Sequence, residues 1–210
     1  WFSEFKGHIK SKLHAIYYAY NPTRSACGAD PEALRKFDDL LASGRRLVML
    51  AGSDAHALPG RLGPLRRTLF PFEFHFRTVN MHLLLPRPLS EDSAQDAALI
   101  YAALRQGHAF IGYDLPASTR GFRLTVHAKE KIGTMGDEFS AKGGITMQIK
   151  LPLRAECTVF KDGLPVKTFR NRDLCTYITS EPGIYRVEAY IHYKGKKRGW
   201  IYSNPVYIKN

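Results

Sequence analysis

The hydrophobic pattern of this 210-residue chain changes near residue 118, and this change limits the folds that it can adopt. Before this point helical and extended patterns alternate, whereas short β-rich runs follow it, separated by turn residues at about ten-residue intervals. Roughly 90 residues of such runs are enough for an immunoglobulin-like sandwich. The sequence therefore predicts an α/β domain over residues 1–118 and an all-β, immunoglobulin-like β-sandwich over residues 119–210.

Two helices are predicted in the first part of the chain. The first spans residues 30–44, because its opening Asp-Pro pair suits the N-cap and the first helical position, and its last residue is a glycine. The second begins at Ser90 or Asp92 and ends at Gly107, since glycine readily adopts the conformation that closes a helix.

Three extended segments are predicted around these helices. The run RLVML, residues 46–50, is almost entirely apolar, which is typical of a strand covered on both faces in a parallel sheet or barrel. The runs FEFHFRTVNMHLLLP, residues 72–86, and HAFIGYD, residues 108–114, are also interpreted as strands. Helix and strand alternating in this order predicts an α/β arrangement whose strand ends form a site.

A short stretch directly after RLVML carries the clearest chemical signal. AGSDAHA, residues 51–57, places Asp54 and His56 at the predicted carboxyl end of the strand, where α/β proteins bind their ligands. In extended backbone the two side chains point the same way, and a carboxylate beside an imidazole suits zinc, manganese or iron. The alternative is an Asx-turn in which Asp54 caps a loop and His56 is incidental. The spacing alone leaves both interpretations open.

The predicted strand at residues 72–86 has a polar face that contains Glu73, His75 and Arg77. Arg77 is the candidate substrate-binding residue, because a guanidinium can hold a phosphate through two hydrogen bonds. A polar strand face also explains His75 and His82 without chemistry, and the other histidines are interpreted as surface or core residues. Nucleophilic catalysis by serine or cysteine has no support, because the chain contains no G-x-S-x-G motif.

The net charge of +12 and the pI near 9.7 favour anionic partners. A small anionic ester or phosphoester is the first candidate and nucleic acid the second, while a generally basic solvated surface is the alternative. The three cysteines do not form a disulfide framework, so we expect a reducing compartment and a cytoplasmic protein. No apolar run approaches the roughly 20 residues of a membrane helix, and no membrane partner is expected.

The segment at residues 45–57 resembles the last metal-binding motif of the PHP (polymerase and histidinol phosphatase) metallohydrolase superfamily. GHAFIGYD is similar to the Gly-x-x-Phe/Tyr segment that ends those domains, and MGDEF with the β-rich tail is similar to the carbaryl-hydrolase-like branch. The stretch from SEFK to SDAHA resembles the same branch, so the resemblance covers nearly the whole chain. It implies a distorted β/α barrel that binds two or three divalent ions and hydrolyses a phosphoester, or less often another ester, with a metal-activated water.

The chain departs from that family in one respect. The family's ligand set begins with a His-x-His, which this sequence lacks, so only Asp54 and His56 can be carried over as metal ligands. We therefore expect a carboxyl-terminal portion of such a hydrolase, with most of the zinc, manganese or iron site elsewhere. Catalytic zinc usually has three protein ligands, so the chain alone is expected to be inactive, and whether it retains metal stays open.

The rival hypothesis comes from a different class of function. The chain would serve as a non-catalytic binding or assembly module, whose basic surface holds anionic partners and whose β-sandwich makes the contacts. An uncovered apolar sheet also invites association, so a homo-oligomer is a further expectation.

Overall fold

Most of the chain folds around one large β-sheet. The computed structural model describes residues 17, 20–24, 28–62 and 65–210. Its helices are a 3₁₀ helix at Pro22–Arg24, α1 at Pro31–Ala42, α2 at Phe72–Thr78 and α3 at Ser93–Gln106. Its strands are β1 Leu58–Leu62, β2 Leu65–Leu69, β3 Asn80–Leu83, β4 Ala109–Gly112, β5 Arg123–His127, β6 Ile132–Gly133, β7 Glu138–Ser140, β8 Ile145–Lys161, β9 Leu164–Thr179, β10 Gly183–Tyr193, β11 Lys196–Ser203 and β12 Val206–Lys209.

Ten strands form the large sheet, and β1 and β2 form a separate hairpin. The main path runs β3-β4-β11-β10-β8-β5-β6, with β9 on β8, and with β12 on both β10 and β7. The β12–β7 pair is parallel, and the other described pairs are antiparallel. Because β4 pairs with β11, strands from both sides of residue 118 belong to one sheet.

The predicted order of elements is confirmed, with helices and strands first and strands alone afterwards. The parallel sheet predicted for the first part is wrong for the strands described there, because β3 and β4 pair antiparallel. The structure is mostly β, and the division into domains at residues 118 and 119 stays a prediction.

Both predicted helices are confirmed as α1 and α3. The Asp30 carboxylate accepts a hydrogen bond from the backbone N–H of Glu32 at 3.0 Å, as an N-cap does. Asp92 caps α3 by accepting from the N–H groups of Ala94 and Gln95. Gly107 ends α3 with a φ of 75°, in the left-handed conformation that favours glycine.

The predicted strand at RLVML is wrong, because residues 45–57 pair with no strand among the described residues. The backbone there bonds to side chains of the sheet instead. The N–H of Met49 donates to Oδ1 of Asn204 at 2.6 Å, and the N–H of Ala51 donates to Sδ of Met81 at 3.4 Å. The run thus bonds to side chains of the sheet without forming backbone hydrogen bonds to a neighbouring strand.

The first half of the predicted strand at residues 72–86 is a helix, α2, and only its second half contains a strand, β3. The alternation of Phe72, Phe74 and Phe76 favours a strand, but in α2 Phe74 is buried whereas Phe72 and Phe76 are exposed, because residues two apart lie on opposite faces of a helix. The helical pairs are present: Phe72 stacks on Phe76 at 6.1 Å, and Arg77 bonds Glu73 at 3.0 Å.

The segment FKDGLP forms an Asp-Gly hairpin between β8 and β9. Asp162 and Gly163 have φ angles of 49° and 80°, both positive, as a two-residue type I′ turn requires. The two strands have 17 and 16 residues, so each joins two runs that had been interpreted as separate strands. Register shifts between Lys150 and Ala155 mark where the runs meet.

The main hydrophobic core lies against β8, β10 and β11. Its largest fully buried side chains are aromatic: Trp200, Tyr185, Phe110 and Phe122. Phe110 belongs to β4, which places the end of the first part of the chain in the same core. None of the helices in the described ranges is long and apolar enough to cross a membrane.

Candidate functional site

The segment at residues 45–57 lies on the sheet and is anchored by buried polar groups. The Asn204 side chain is 1% exposed and donates from Nδ2 to the carbonyl oxygens of Met49 and Ala109, at 3.3 and 2.8 Å. Met49 and Ala51 pack against a small cluster that includes Tyr202. The backbone that leads to Asp54 is therefore held by the sheet although it forms no strand.

Asp54 and His56 lie side by side at the surface. Nδ1 of His56 lies 3.4 Å from Oδ1 of Asp54 and 2.8 Å from its carbonyl oxygen. The two side chains are 89% and 68% exposed. The predicted pairing of a carboxylate with an imidazole is thus present, and both groups are accessible to a ligand from solvent.

The backbone at Asp54 bears on the Asx-turn alternative. Asp54 has a φ of 45°, a left-handed conformation that aspartate adopts more often than most residues other than glycine, in turns as well as at functional sites. An Asx-turn would need its carboxylate to accept a hydrogen bond from the backbone N–H of His56. No such bond occurs among the described residues, where the Asp54 carboxylate has His56 as its partner.

His75 lies beneath this segment, on α2 rather than on the strand face that was predicted. Its Nδ1 lies 3.2 Å from the carbonyl oxygen of Ser53, and its Nε2 is buried with no hydrogen-bond partner in the described part of the chain. Arg77 is also on α2, where its exposed guanidinium forms an ion pair with Glu73 at 3.0 Å. The role of Arg77 in substrate binding stays a prediction.

The donor set at Asp54 and His56 suits a divalent ion in chemistry but is incomplete in number. Carboxylate oxygen and imidazole nitrogen are ligands of zinc, manganese and iron. Within residues 17, 20–24, 28–62 and 65–210, no group of three His, Cys, Asp or Glu side chains could hold a metal ion. A metal ion held by these two residues would need further ligands.

A second polar cluster lies where β3 meets the loop after β4. Nε2 of His82 lies 2.9 Å from Oδ2 of Asp114 and 2.9 Å from Oγ1 of Thr119. The Asp114 carboxylate also accepts hydrogen bonds from Nδ2 of Asn80, at 2.9 Å, and from the backbone N–H and hydroxyl of Thr119, both at 2.7 Å. The proton of neutral His82 is accordingly assigned to Nε2, which faces the carboxylate.

Asp114 is ionised in this cluster. Burial raises the pKa of Asp114, but the hydrogen bonds from His82, Thr119 and Asn80 outweigh burial and hold the pKa well below its usual range. The carboxylate therefore fixes the orientation of the His82 ring, which also stacks on Phe110 with the ring centroids 4.6 Å apart.

His82 was interpreted as part of a polar strand face, and Asp114 was not predicted to be a site residue. A signal was present, because Asn80 and His82 are two residues apart on a strand and so point to the same face. The register of β3 against β4 sets Asn80 opposite Gly112, two residues before Asp114. That pairing could not be read from the sequence, since 25 residues that include α3 lie between the two strands.

The remaining histidines differ in their surroundings. His108 was interpreted as lacking a partner, but its Nε2 lies 3.3 Å from Oδ1 of Asp137. Nε2 of His127 is buried without a hydrogen bond in the described residues, and His192 is exposed. His8 and His14 lie outside the described residues.

Comparison with known proteins adds no family to this description. No family model matches the chain, and no curated protein or solved structure does.

Proposed function

We propose that this chain is the carboxyl-terminal portion of a PHP-type, metal-dependent phosphoesterase, to which Asp54 and His56 contribute metal ligands. The observation that carries the proposal is the pairing of these two exposed side chains on a segment anchored by Asn204. The lack of an Asx-turn bond among the described residues favours a ligand role over loop capping.

The reaction is hydrolysis of a phosphoester. Water attacks phosphorus, the bond from phosphorus to the ester oxygen breaks, and the alcohol leaves with one proton. A divalent ion at this site supplies Lewis-acid catalysis. Asp54 and His56 hold that ion, and the positive charge of the chain attracts the anionic substrate.

Two protein ligands are fewer than a catalytic zinc site usually has. In this proposal the other ligands come from the rest of the hydrolase, including the His-x-His that the family resemblance implies. The strands after residue 118 would correspond to the immunoglobulin-like tail of the carbaryl-hydrolase-like branch. The chain alone is then expected to be inactive.

The proposal is tested by hydrolysis of bis-p-nitrophenyl phosphate with the full-length protein that carries this chain, in the presence of Zn²⁺ or Mn²⁺. The D54A/H56A variant should lose activity by a factor of at least about 100, the size of effect that loss of a single catalytic group often has. The D173A/H192A variant removes the same side-chain types at exposed positions of the β-rich part and should retain activity. Full activity in D54A/H56A contradicts the proposal.

The rival function, a binding module for anionic partners, is favoured by the net charge of +12. Binding to nucleic acid through the phosphate backbone weakens steeply as salt rises. A salt-sensitive affinity for single-stranded DNA that survives in D54A/H56A, together with no hydrolysis by the full-length protein, would support this function instead.

A further inference from the structure

A broad cleft lies between the chain that leaves β3 and the start of β5. Its volume is about 690 Å³, within the range that is usual for small-molecule sites. Residues 83–88 line one part of it and residues 120, 121 and 123–125 another, and His82, Phe110 and Thr134 complete the lining. The lining therefore combines apolar side chains with the ring of His82, which stacks on the buried Phe110.

Three arginines line this cleft, Arg87, Arg120 and Arg123, and its lining contains no aspartate or glutamate in the described part of the chain. None of the three forms an ion pair with a carboxylate of the described residues. Within that part of the chain, their guanidinium groups donate one hydrogen bond, from Nη1 of Arg123 to the carbonyl oxygen of Phe122. All three side chains are exposed, so their charges are available to a ligand.

The other large cavities of the described residues differ in this respect. The cavity lined by Arg170 and Lys197 also contains Glu156, which pairs with both. The cavity beside α1 contains Arg186, whose charge is met by Asp38 and by Glu188. In contrast to these two cavities, the first cleft has no carboxylate in its described lining.

We infer that this cleft binds a small anion that has an apolar body, of the type of an aryl or acyl phosphate. The guanidinium groups would hold the phosphate through charge-assisted, bidentate hydrogen bonds, and the apolar body would lie on residues 83–88. His82 adds an aromatic ring to the lining, and Asp114 and Phe110 fix the orientation of that ring. This site uses neither Asp54 nor His56, so it goes beyond the proposed function and does not depend on it.

The test is calorimetric titration of the 210-residue chain with phenyl phosphate, in metal-free buffer of low ionic strength. The chain should bind one equivalent, and the R87A/R120A variant should bind about 10- to 100-fold more weakly, as loss of charge-assisted hydrogen bonds predicts. The matched control is R105A/R172A, which removes two exposed arginines that do not line the cleft and should bind like the unmodified chain.

Inorganic phosphate and a single-stranded oligonucleotide separate the site from general attraction of anions. Inorganic phosphate should bind more weakly than phenyl phosphate, because it lacks the apolar body. Amide chemical shifts should change at residues 84, 85, 87 and 120–123 when phenyl phosphate is added, since Pro86 and Pro88 have no amide proton. The inference is overturned if phenyl phosphate does not bind, if the two double variants weaken binding equally, or if only the oligonucleotide binds.

Discussion

The guanidinium of Arg186 on β10 holds the carboxylate of Asp38 on α1 through two hydrogen bonds, of 2.7 and 2.6 Å. Arg186 is 4% exposed, also pairs with Glu188 and lies over the ring of Phe160 at 4.4 Å. Tyr190 donates a further hydrogen bond to Glu188. This buried network attaches α1 to the central strands of the sheet.

The D38A variant should therefore be strongly destabilised. It removes one of the two carboxylates that pair with the buried guanidinium of Arg186. Removing one partner of a buried ion pair lowers the free energy of unfolding by about 3–5 kcal/mol. Urea unfolding followed by circular dichroism measures the difference. The control is K36A, which breaks the exposed Glu32–Lys36 pair of the same helix and should have little effect. Equal losses in both variants would show that the network does not stabilise α1.

Gly112 on β4 is required by the cluster of His82 and Asp114. A Cβ atom at this position would lie 2.2 Å from Oγ1 of Thr119 and 2.8 Å from Nε2 of His82. The G112A variant should be destabilised by about 1–3 kcal/mol, which is typical of overpacking. G52A is the control, because a Cβ there would meet nothing within 4 Å. A G112A protein as stable as G52A would contradict the described position of His82.

The lowered pKa of Asp114 predicts a pH dependence of stability. The folded-state pKa lies below the unfolded value near 3.9, so the stabilisation is complete above about pH 5 and is lost as the pH falls through the folded-state pKa. The D114N variant lacks this contribution. Its deficit in the free energy of unfolding should shrink as the pH falls below about 4, when followed by urea unfolding at several pH values. A deficit that stays constant with pH would contradict the assignment of an ionised Asp114.

Cys157 should be unreactive in the folded protein. Its hydrogen bond to Cys175 and its burial raise the pKa of the Cys157 thiol, and the two side chains are 0% and 2% exposed. Because Cys27 lies outside the described residues, the C27S variant isolates this pair. A thiol assay with DTNB at pH 8 should detect no reaction in folded C27S and two thiols after unfolding. Rapid reaction of the folded variant would contradict the burial of the pair.

The parts of the fold that follow local rules were predictable from the sequence. Asp92 and Gly107 fix the ends of α3 through capping and a left-handed conformation, and the Asp162-Gly163 turn has the residues that a type I′ hairpin needs. These elements depend on bonds between residues that are near in sequence.

The errors concern elements that depend on distant partners or on ambiguous spacing. RLVML is apolar enough for a strand, but Asn204 and Met81 take the hydrogen bonds of Met49 and Ala51 that a neighbouring strand would form. The alternation of phenylalanines at residues 72–76 favours a strand, but it spans only five residues, and the segment is a helix that buries Phe74 on the face opposite to Phe72 and Phe76. Local composition does not decide either case.

The candidate sites divide in the same way. Asp54 and His56 are two residues apart in sequence, and the structure brings them together. The His82–Asp114 pair spans 32 residues and depends on the register of β3 against β4, which the sequence did not reveal. Arg87 is likewise brought to the same cleft as Arg120 and Arg123 by the fold and not by its place in the sequence.

The most direct test of the proposed function asks whether Asp54 and His56 bind a metal ion. Nuclear magnetic resonance detects even weak binding, so the 210-residue chain, labelled with ¹⁵N, would be titrated with Mn²⁺, whose unpaired electrons broaden nearby signals. We predict broadening first at the amides of residues 53–57, loss of this effect in D54A/H56A, and its persistence in D173A/H192A. Broadening that is absent at residues 53–57, or that is unchanged in D54A/H56A, would contradict the assignment of these two residues as metal ligands.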